Sequence, residues 1–170
     1  LMTAVADILK SKSDNTVHAI APGDSVLDAL QRMAEKRIGA LLVMEGETIV
    51  GIVTERDYAR KIALLGRTSA ATLVRDVMTA DVMFVRPDQT SSECMALMTE
   101  NRLRHLPVMA DGKLLGLISI GDLVKDIISG VFYLLDDAFR VGEYIQAGSH
   151  KGTVESFSIR SIKLRHHRGP

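Results

Sequence analysis

The residues best suited to chemistry in this chain are two hydroxyl–aspartate pairs, Thr54 with Asp57 and Ser119 with Asp122. Each pair ends an apolar run that opens on a glycine: Gly51-Ile-Val-Thr54-Glu-Arg56-Asp57 and Gly116-Leu-Ile-Ser119-Ile-Gly121-Asp122. A hydroxyl three residues before a carboxylate is the pattern of a capping box, in which the two side chains close a helix N-terminus reciprocally. The same arrangement offers a second chemistry. A helix N-terminus presents free N–H groups and the positive end of the dipole, so it can hold a phosphate beside the hydroxyl, while the carboxylate accepts from ribose hydroxyls. Two copies make two candidate sites, and an internal repeat is needed to place both alike.

The elements around the pairs supply that repeat. Val5-Ala-Asp7-Ile8-Leu9 reads as a short lead-in, and Val74-Arg-Asp76-Val77-Met78 repeats its pattern. Thr16 to Ile20 reads as a short strand, and Pro22-Gly23-Asp24-Ser25 gives turn chemistry with a cap that Asp28 completes. Val26, Ala29, Leu30 and Met33 then fall on one helical face. Ile38 to Met44 and Thr48 to Val53 read as strands around a Glu45-Gly46-Glu47 turn. The spacing predicts a second helix from Thr54 through Tyr58, Ile62 and Leu65 to a terminal Gly66. Shifted by 65 residues, this β-α-β-β-α unit recurs without a gap, so that Pro22, Arg37, Gly51 and Asp57 meet Pro87, Arg102, Gly116 and Asp122. In the second copy Thr90 and Glu93 cap a helix bearing Cys94, Leu97 and Met98, and Asp111-Gly112 turns between strands Leu106–Met109 and Leu114–Ser119. The fold class is α+β, and two such units should pack about an approximate two-fold axis with clefts between them.

Composition narrows the function classes. In 170 residues, 21 Lys+Arg balance 21 Asp+Glu, so bulk charge suggests no nucleic acid or other polyanion as partner. The single cysteine, Cys94, excludes an intrachain disulfide framework, fits a reducing compartment, and reads as a core residue rather than a nucleophile. The opening Leu1-Met2-Thr3 shows no basic segment followed by an apolar run, and no apolar stretch is long enough to span a bilayer, so a cytoplasmic location is expected. No paired acid and nucleophile, Walker-type loop or metal-ligand cluster argues for an enzyme.

The tandem units, the Arg102-Leu-Arg104-His105-Leu-Pro107-Val108 run and both Gly-x-x-[Thr/Ser]-x-x-Asp motifs resemble a pair of CBS domains, the arrangement called a Bateman module. The first would occupy residues 1–66 and the second 67–130. The resemblance implies a regulatory, non-catalytic module that binds an adenosine ligand, AMP foremost, with ATP, NAD and S-adenosylmethionine as alternatives, and that forms a homodimer acting on an unidentified regulated protein. It implies that Asp57 and Asp122 meet ribose hydroxyls and that Thr54 and Ser119 meet phosphate. Around them, Thr16-Val17, Asp81-Val82, Arg37-Ile38-Gly39-Ala40 and Arg102-Leu103-Arg104-His105 would supply backbone groups and apolar walls to the adenine. Arg56 and Arg104 are placed to meet phosphate, or else are solvated surface charges. Val53, Pro107 and Ile118 complete the expected nucleotide-binding set. His105 reads as a phosphate contact, a pH sensor or a histidine simply hydrogen-bonded at a strand entrance. Arg56 aligns with Gly121 and Gly39 with Arg104, so the two clefts are expected to differ.

From residue 131 the repeat is left. Val131 to Ile145, Lys151 to Glu155 and Ile159 to Arg165 are similar to part of the small β-domain of mechanosensitive small-conductance channels, an incomplete copy that implies no channel activity. A β-rich tail over 131–170 is expected, and a natural fusion and an artefact remain alternatives for it. His166-His167 could attract metal or anions, or be a frayed terminus. The functional alternative to nucleotide sensing is a structural or assembly module with vestigial sites.

Overall fold

In the computed structural model of the chain, residues 3–138, 144–147, 150–158 and 161–166 are described. Contact density divides the chain into two compact units, Met2–Asp122 and the remainder from Leu123.

The first unit holds both repeats. Helix α1 (Val5–Ser11) precedes strand β1 (Ala19–Ile20), helix α2 (Val26–Lys36), strands β2 (Ala40–Glu45) and β3 (Thr48–Thr54), and helix α3 (Glu55–Tyr58). β1 pairs parallel with β2, and β2 antiparallel with β3, in the order β1-β2-β3. The second repeat contributes helix α4 (Ser91–Glu100), the antiparallel pair β4 (His105–Ala110) and β5 (Lys113–Ser119), and the opening of helix α5 (Ile120–Ala138). Both hairpins carry a register shift at matching places, between Val43 and Met44 and between Val108 and Met109.

The capping boxes read from the sequence form. Ser25, Thr54 and Thr90 accept from the backbone of Asp28, Asp57 and Glu93, whose carboxylates accept in return. Each offsets two of the unpaired N–H groups at a helix start. Arg37 and its counterpart Arg102 take left-handed backbone angles, φ 54° and 55°, just past α2 and α4. The following amides of Ile38 and Leu103 reach back to Met33 and Met98. These two arginines therefore end helices with the closure usually given to glycine.

Two expectations change. The strand expected from Thr16 is only Ala19–Ile20, and its counterpart in the second repeat shrinks to a single parallel bridge, Val85 with Val108. Pro22 and Pro87, two residues further on, lack the N–H that either strand would need to continue. The helix expected from Thr54 to Gly66 is α only to Tyr58, and Ala59–Ala63 widens into a π turn in which Leu64 donates to the Ala59 carbonyl. The extra residue turns Leu65 outward, to 62% exposure, while Ile62 stays buried and Gly66, at φ 64°, closes the end as expected.

The lead-ins are exchanged between the repeats. Val5 and Ala6 of α1 donate to the Gln89 and Pro87 carbonyls of the second repeat, and Ala4 bridges Thr90. Reciprocally, Val74 and Arg75 donate to the Asp24 and Pro22 carbonyls of the first, and Leu73 bridges Ser25. Val74 and Val77 thereby join the first repeat's core of Ile20, Val26, Met33, Leu41, Val53 and Ile62. A second apolar cluster, Ala40, Leu42 and Ile52 with Val17, Val82, Leu114 and Leu117, joins the sheets of the two repeats.

The exchange also explains both motif glycines. A Cβ on Gly51 would lie 2.5 Å from Met78 Sδ and 3.1 Å from the Thr79 carbonyl oxygen, and one on Gly116 would lie 2.9 Å from Leu9 Cδ2. Each glycine is where the other repeat's lead-in crosses the strand.

In the second unit, α5 continues to Ala138, so residues 131–138 are helical where a β-rich tail was expected to start. Beyond it β6 (Tyr144–Ala147), β7 (His150–Ser158) and β8 (Ser161–His166) form an antiparallel sheet. Expectations placed on Phe139 to Glu143, Ile159, Arg160 and His167 lie outside the described residues. Among the described residues no helix is long and apolar enough to cross a membrane.

Candidate functional site

Strand β3 delivers Thr54 to the rim of a cavity of about 570 Å³, with α3 opening into it. Thr54 pairs with Ala40 at the end of the hairpin, and the Glu55 amide donates to the Gly39 carbonyl at 3.1 Å. Asp57 Oδ2 accepts from the Thr54 amide at 3.0 Å and from Thr54 Oγ1 at 2.8 Å, and the Asp57 amide donates to Thr54 Oγ1 at 3.2 Å. Lys61, one turn on, holds Asp57 Oδ1 at 2.9 Å and donates to the Val77 carbonyl. It does so from outside the cavity wall.

Two amides at the opening of α3, those of Glu55 and Asp57, are therefore already used. The positive charge at this cavity comes from its side chains instead. Arg56, Arg60, Arg102 and Arg104 all line it, with Glu55, Asp57 and Asp81 as the carboxylates. Arg56 reaches across the repeats to donate to the Arg102 carbonyl at 2.8 Å, and Arg104 is exposed. A guanidinium fork suits phosphate oxygens better than any other side chain.

Ten of the expected residues meet here: Gly39, Thr54, Arg56, Asp57, Asp81, Val82, Arg102, Leu103, Arg104 and His105. The first repeat supplies the motif and the second the opposite wall. Ile52, Glu55, Arg60, Thr79, Met83 and Asn101 also line the cavity and were not expected. Glu55 lies between the two motif residues, and Met83 follows Val82, so both were within reach of the pattern. Thr79 enters only through the exchange of lead-ins, where it and Ile52 donate to each other's carbonyls at 2.9 Å.

The other ten lie elsewhere. Val53 and Ile118 are 2% and 0% exposed, so their side chains face packing rather than ligand, while Pro107, opposite Leu117, lines a separate cavity of about 440 Å³ with Asp81, Val82 and Met109. Ala40 and Val17 belong to the apolar cluster between the sheets, and Ile38 packs against the first repeat's core. Arg37 is a helix terminus, and Thr16 is exposed with its amide on Asp14 Oδ1 at 2.8 Å. Ser119 and Asp122 form the second motif. Asp122 Oδ2 accepts from the Ser119 amide and Oγ, each at 2.8 Å, and from Lys12 Nζ at 3.0 Å.

Titration follows these contacts. Burial pushes the Asp122 carboxyl up, but the Ser119 donors and the Lys12 ammonium together outweigh it and hold the group below its ordinary value. His105, paired with Ser119 across β4 and β5, is held below its ordinary value by burial, against the pull of Asp122 and with help from Lys12 and Arg104. Burial, with Glu93 adding to it, pushes the Cys94 thiol up to about 11, which fits a core residue and not a nucleophile.

Comparison with known proteins places the fold of both repeats. The family model for the CBS domain matches residues 5–64 and 74–129, and that for the mechanosensitive ion channel beta-domain matches residues 122–170. The chain is 38% identical over 154 residues to the CBS domain-containing protein CBSX3, mitochondrial, of Arabidopsis thaliana, covering 86% of this chain and 73% of that protein. A CBS-domain protein from Burkholderia ambifaria MC40-6 superposes with a TM-score of 0.73 at 60% identity, over 75% of this chain and 95% of that one. CBSX2, solved in complex with AMP, superposes with a TM-score of 0.60 at 28% identity, over 74% and 97% of the two chains.

Proposed function

Because the chain belongs to the CBS-domain family, of which it carries two tandem copies, we propose that it is a regulatory module sensing an adenosine nucleotide, bound in the cleft where Thr54 and Asp57 face the second repeat. The observation that carries this reading is the cavity of about 570 Å³ walled by both repeats, with the Asp57 carboxylate and four arginines among its lining residues. Its size falls within the ~300–1,000 Å³ usual for small-molecule sites. The AMP complex of CBSX2 supports the ligand class. A nucleotide bridging the two walls would bias their packing, and a regulated protein would read that bias. The same reading includes pairing of two copies, supported by an exposed apolar stripe on α5 formed by Val124, Ile127, Ile128 and Val131.

The test is calorimetry and thermal shift with AMP, ADP, ATP, NAD and S-adenosylmethionine on the wild type and on Asp57→Ala. A ligand at about 100 times its Kd should add ~2.7 kcal/mol to stability. Stabilisation abolished in Asp57→Ala, with the fold retained by circular dichroism, is the expected result. Absence of any response to all five ligands overturns the reading and leaves an assembly module whose aspartates serve only as caps.

A further inference from the structure

The cavity of about 440 Å³ shares Asp81 and Val82 with the first cavity and takes the rest of its lining from the start of β3, the segment before β4, and the β4–β5 hairpin. The Val82 amide donates to the Ala80 carbonyl at 3.1 Å, so Asp81 stands at the corner of a three-residue turn that borders both spaces.

Its chemistry is opposite to that of the first. Four arginines line the first cavity, whereas no lysine, arginine or histidine lines this one. Its charged residues are Glu47 and Asp81, and neither carboxylate has a hydrogen-bond or ion-pair partner among the described residues. Ile49, Val82, Phe84, Pro107 and Met109 supply an apolar wall. Within that wall Phe84 is 61% exposed, yet its backbone is not loose. The next residue, Val85, is buried, donates to the Pro107 carbonyl at 2.9 Å and accepts from the Met109 amide at 2.9 Å. An aromatic side chain is thus carried into solvent by a segment fastened to β4.

The internal repeat shows that these features belong to one copy alone. At the shift of 65, Asp81 and Phe84 correspond to Thr16 and Ala19, and Glu47 and Thr48 to Gly112 and Lys113. The positions related by the repeat therefore lack both carboxylates and the ring, and carry an ammonium instead.

We propose that this cavity is a binding site for a small organic cation with an apolar body, an amine or a quaternary ammonium. Its volume lies in the ~300–1,000 Å³ range of small-molecule sites, and an apolar wall with a few polar groups is their usual lining. The two unpartnered carboxylates give the ligand its counter-charge, and the face of the Phe84 ring attracts the same charge through its quadrupole. The apolar body removes the exposed ring and its neighbours from water. A bare metal ion would leave that apolar wall wet, and an anion would be repelled. The site stands on its own lining and does not rest on the nucleotide-sensing reading.

Backbone-amide NMR titration of the full chain tests it, with benzyltrimethylammonium as the probe, benzyl alcohol as an apolar body without charge, and tetramethylammonium as a charge without the body. The expected result is saturable shifts at Thr48, Ile49, Val82 and Phe84 with the first compound and clearly weaker binding of the other two. Glu47→Gln and Phe84→Leu should each weaken the probe about two- to fivefold, and the double variant should weaken it roughly tenfold or more. Both residues are exposed, so neither change disturbs the core, and neither lines the first cavity. Absence of saturable shifts on the wild type overturns the proposal. Equal affinity for benzyl alcohol, or undiminished binding by the double variant, overturns it too, because the charge and the ring would then play no part. Shifts confined to Arg102–His105 would place the probe in the first cavity and overturn it as well.

Discussion

Replacing Gly51 by alanine tests whether this glycine serves packing or ligand. Its backbone sits at the crossing of β3 with the second repeat's lead-in, where an added methyl would meet Met78 Sδ at 2.5 Å, Met78 Cγ at 3.0 Å and the Thr79 carbonyl oxygen at 3.1 Å. The thioether can swing away because Met78 is flexible and only half-buried. The carbonyl cannot, since Thr79 and Ile52 hold each other through two 2.9 Å backbone bonds. Overpacking of this kind costs ~1–3 kcal/mol. Stiffening the unfolded chain returns about 0.4–1 kcal/mol. The middle of the two ranges leaves a net loss of ~1.3 kcal/mol, or roughly 3–5 °C in Tm for a chain of this size.

Gly116→Ala should cost clearly less, because its methyl meets only the Leu9 side chain, at 2.9 Å from Cδ2. The chain has no tryptophan, so urea unfolding is followed by far-UV circular dichroism. A double-mutant cycle adds Met78→Ala, which removes the sulfur and should recover part of the loss, with a coupling of ~0.5–3 kcal/mol between the sites. The reasoning is refuted if Gly51→Ala is as stable as wild type yet loses nucleotide affinity. That result would mean the glycine keeps the backbone open for a ligand rather than for Met78.

Two further outcomes follow from titration and burial. The depressed carboxyl of Asp122 contributes stability in full above the ordinary carboxylate value of 3.8, and that contribution is lost as pH falls through the lower folded-state value. Asp122→Asn should flatten this acid limb of urea midpoints, and an unchanged limb would contradict the assignment. Cys94, 0% exposed with its thiol raised to about 11, should resist iodoacetamide at neutral pH until denaturant opens the chain. Rapid stoichiometric labelling of the native chain would contradict its place in the core.

What could be read from the sequence was local. Capping boxes at Ser25, Thr54, Thr90 and Ser119 are set by residues three apart, and the hairpins by turn residues and alternation, so both formed as expected. The π turn at Ala59–Ala63 left no mark in the spacing of Tyr58, Ile62 and Leu65, which suits a regular helix equally well. Arg37 and Arg102 both end helices with left-handed backbones, which their place before the middle strands does not reveal, and of the two only Arg102 is among the residues lining the cavity. Lys12–Asn15 has no counterpart in the second repeat, visible as a change of shift from 65 to 69 in the lead-ins, but its meaning depends on where the lead-in goes.

That destination is the long-range fact that decides which segment borders each motif. With lead-ins kept in their own repeats, Lys12 would lie on the first repeat and could not reach Asp122. Once α1 crosses to lie over Gly116 and Met78 over Gly51, the segment after each lead-in must run past the motif of the repeat it has crossed to. In the first cleft that segment brings Thr79, Asp81 and Val82 as wall. Beside the second motif it brings four additional residues and an ammonium to Asp122. The repeats match in pattern, though in few identical residues, where they make strands and caps, and they differ in length at the exchange junction. The junction is therefore one place where the two motifs come to have different neighbours, beside the motifs themselves, where Arg56 stands opposite Gly121.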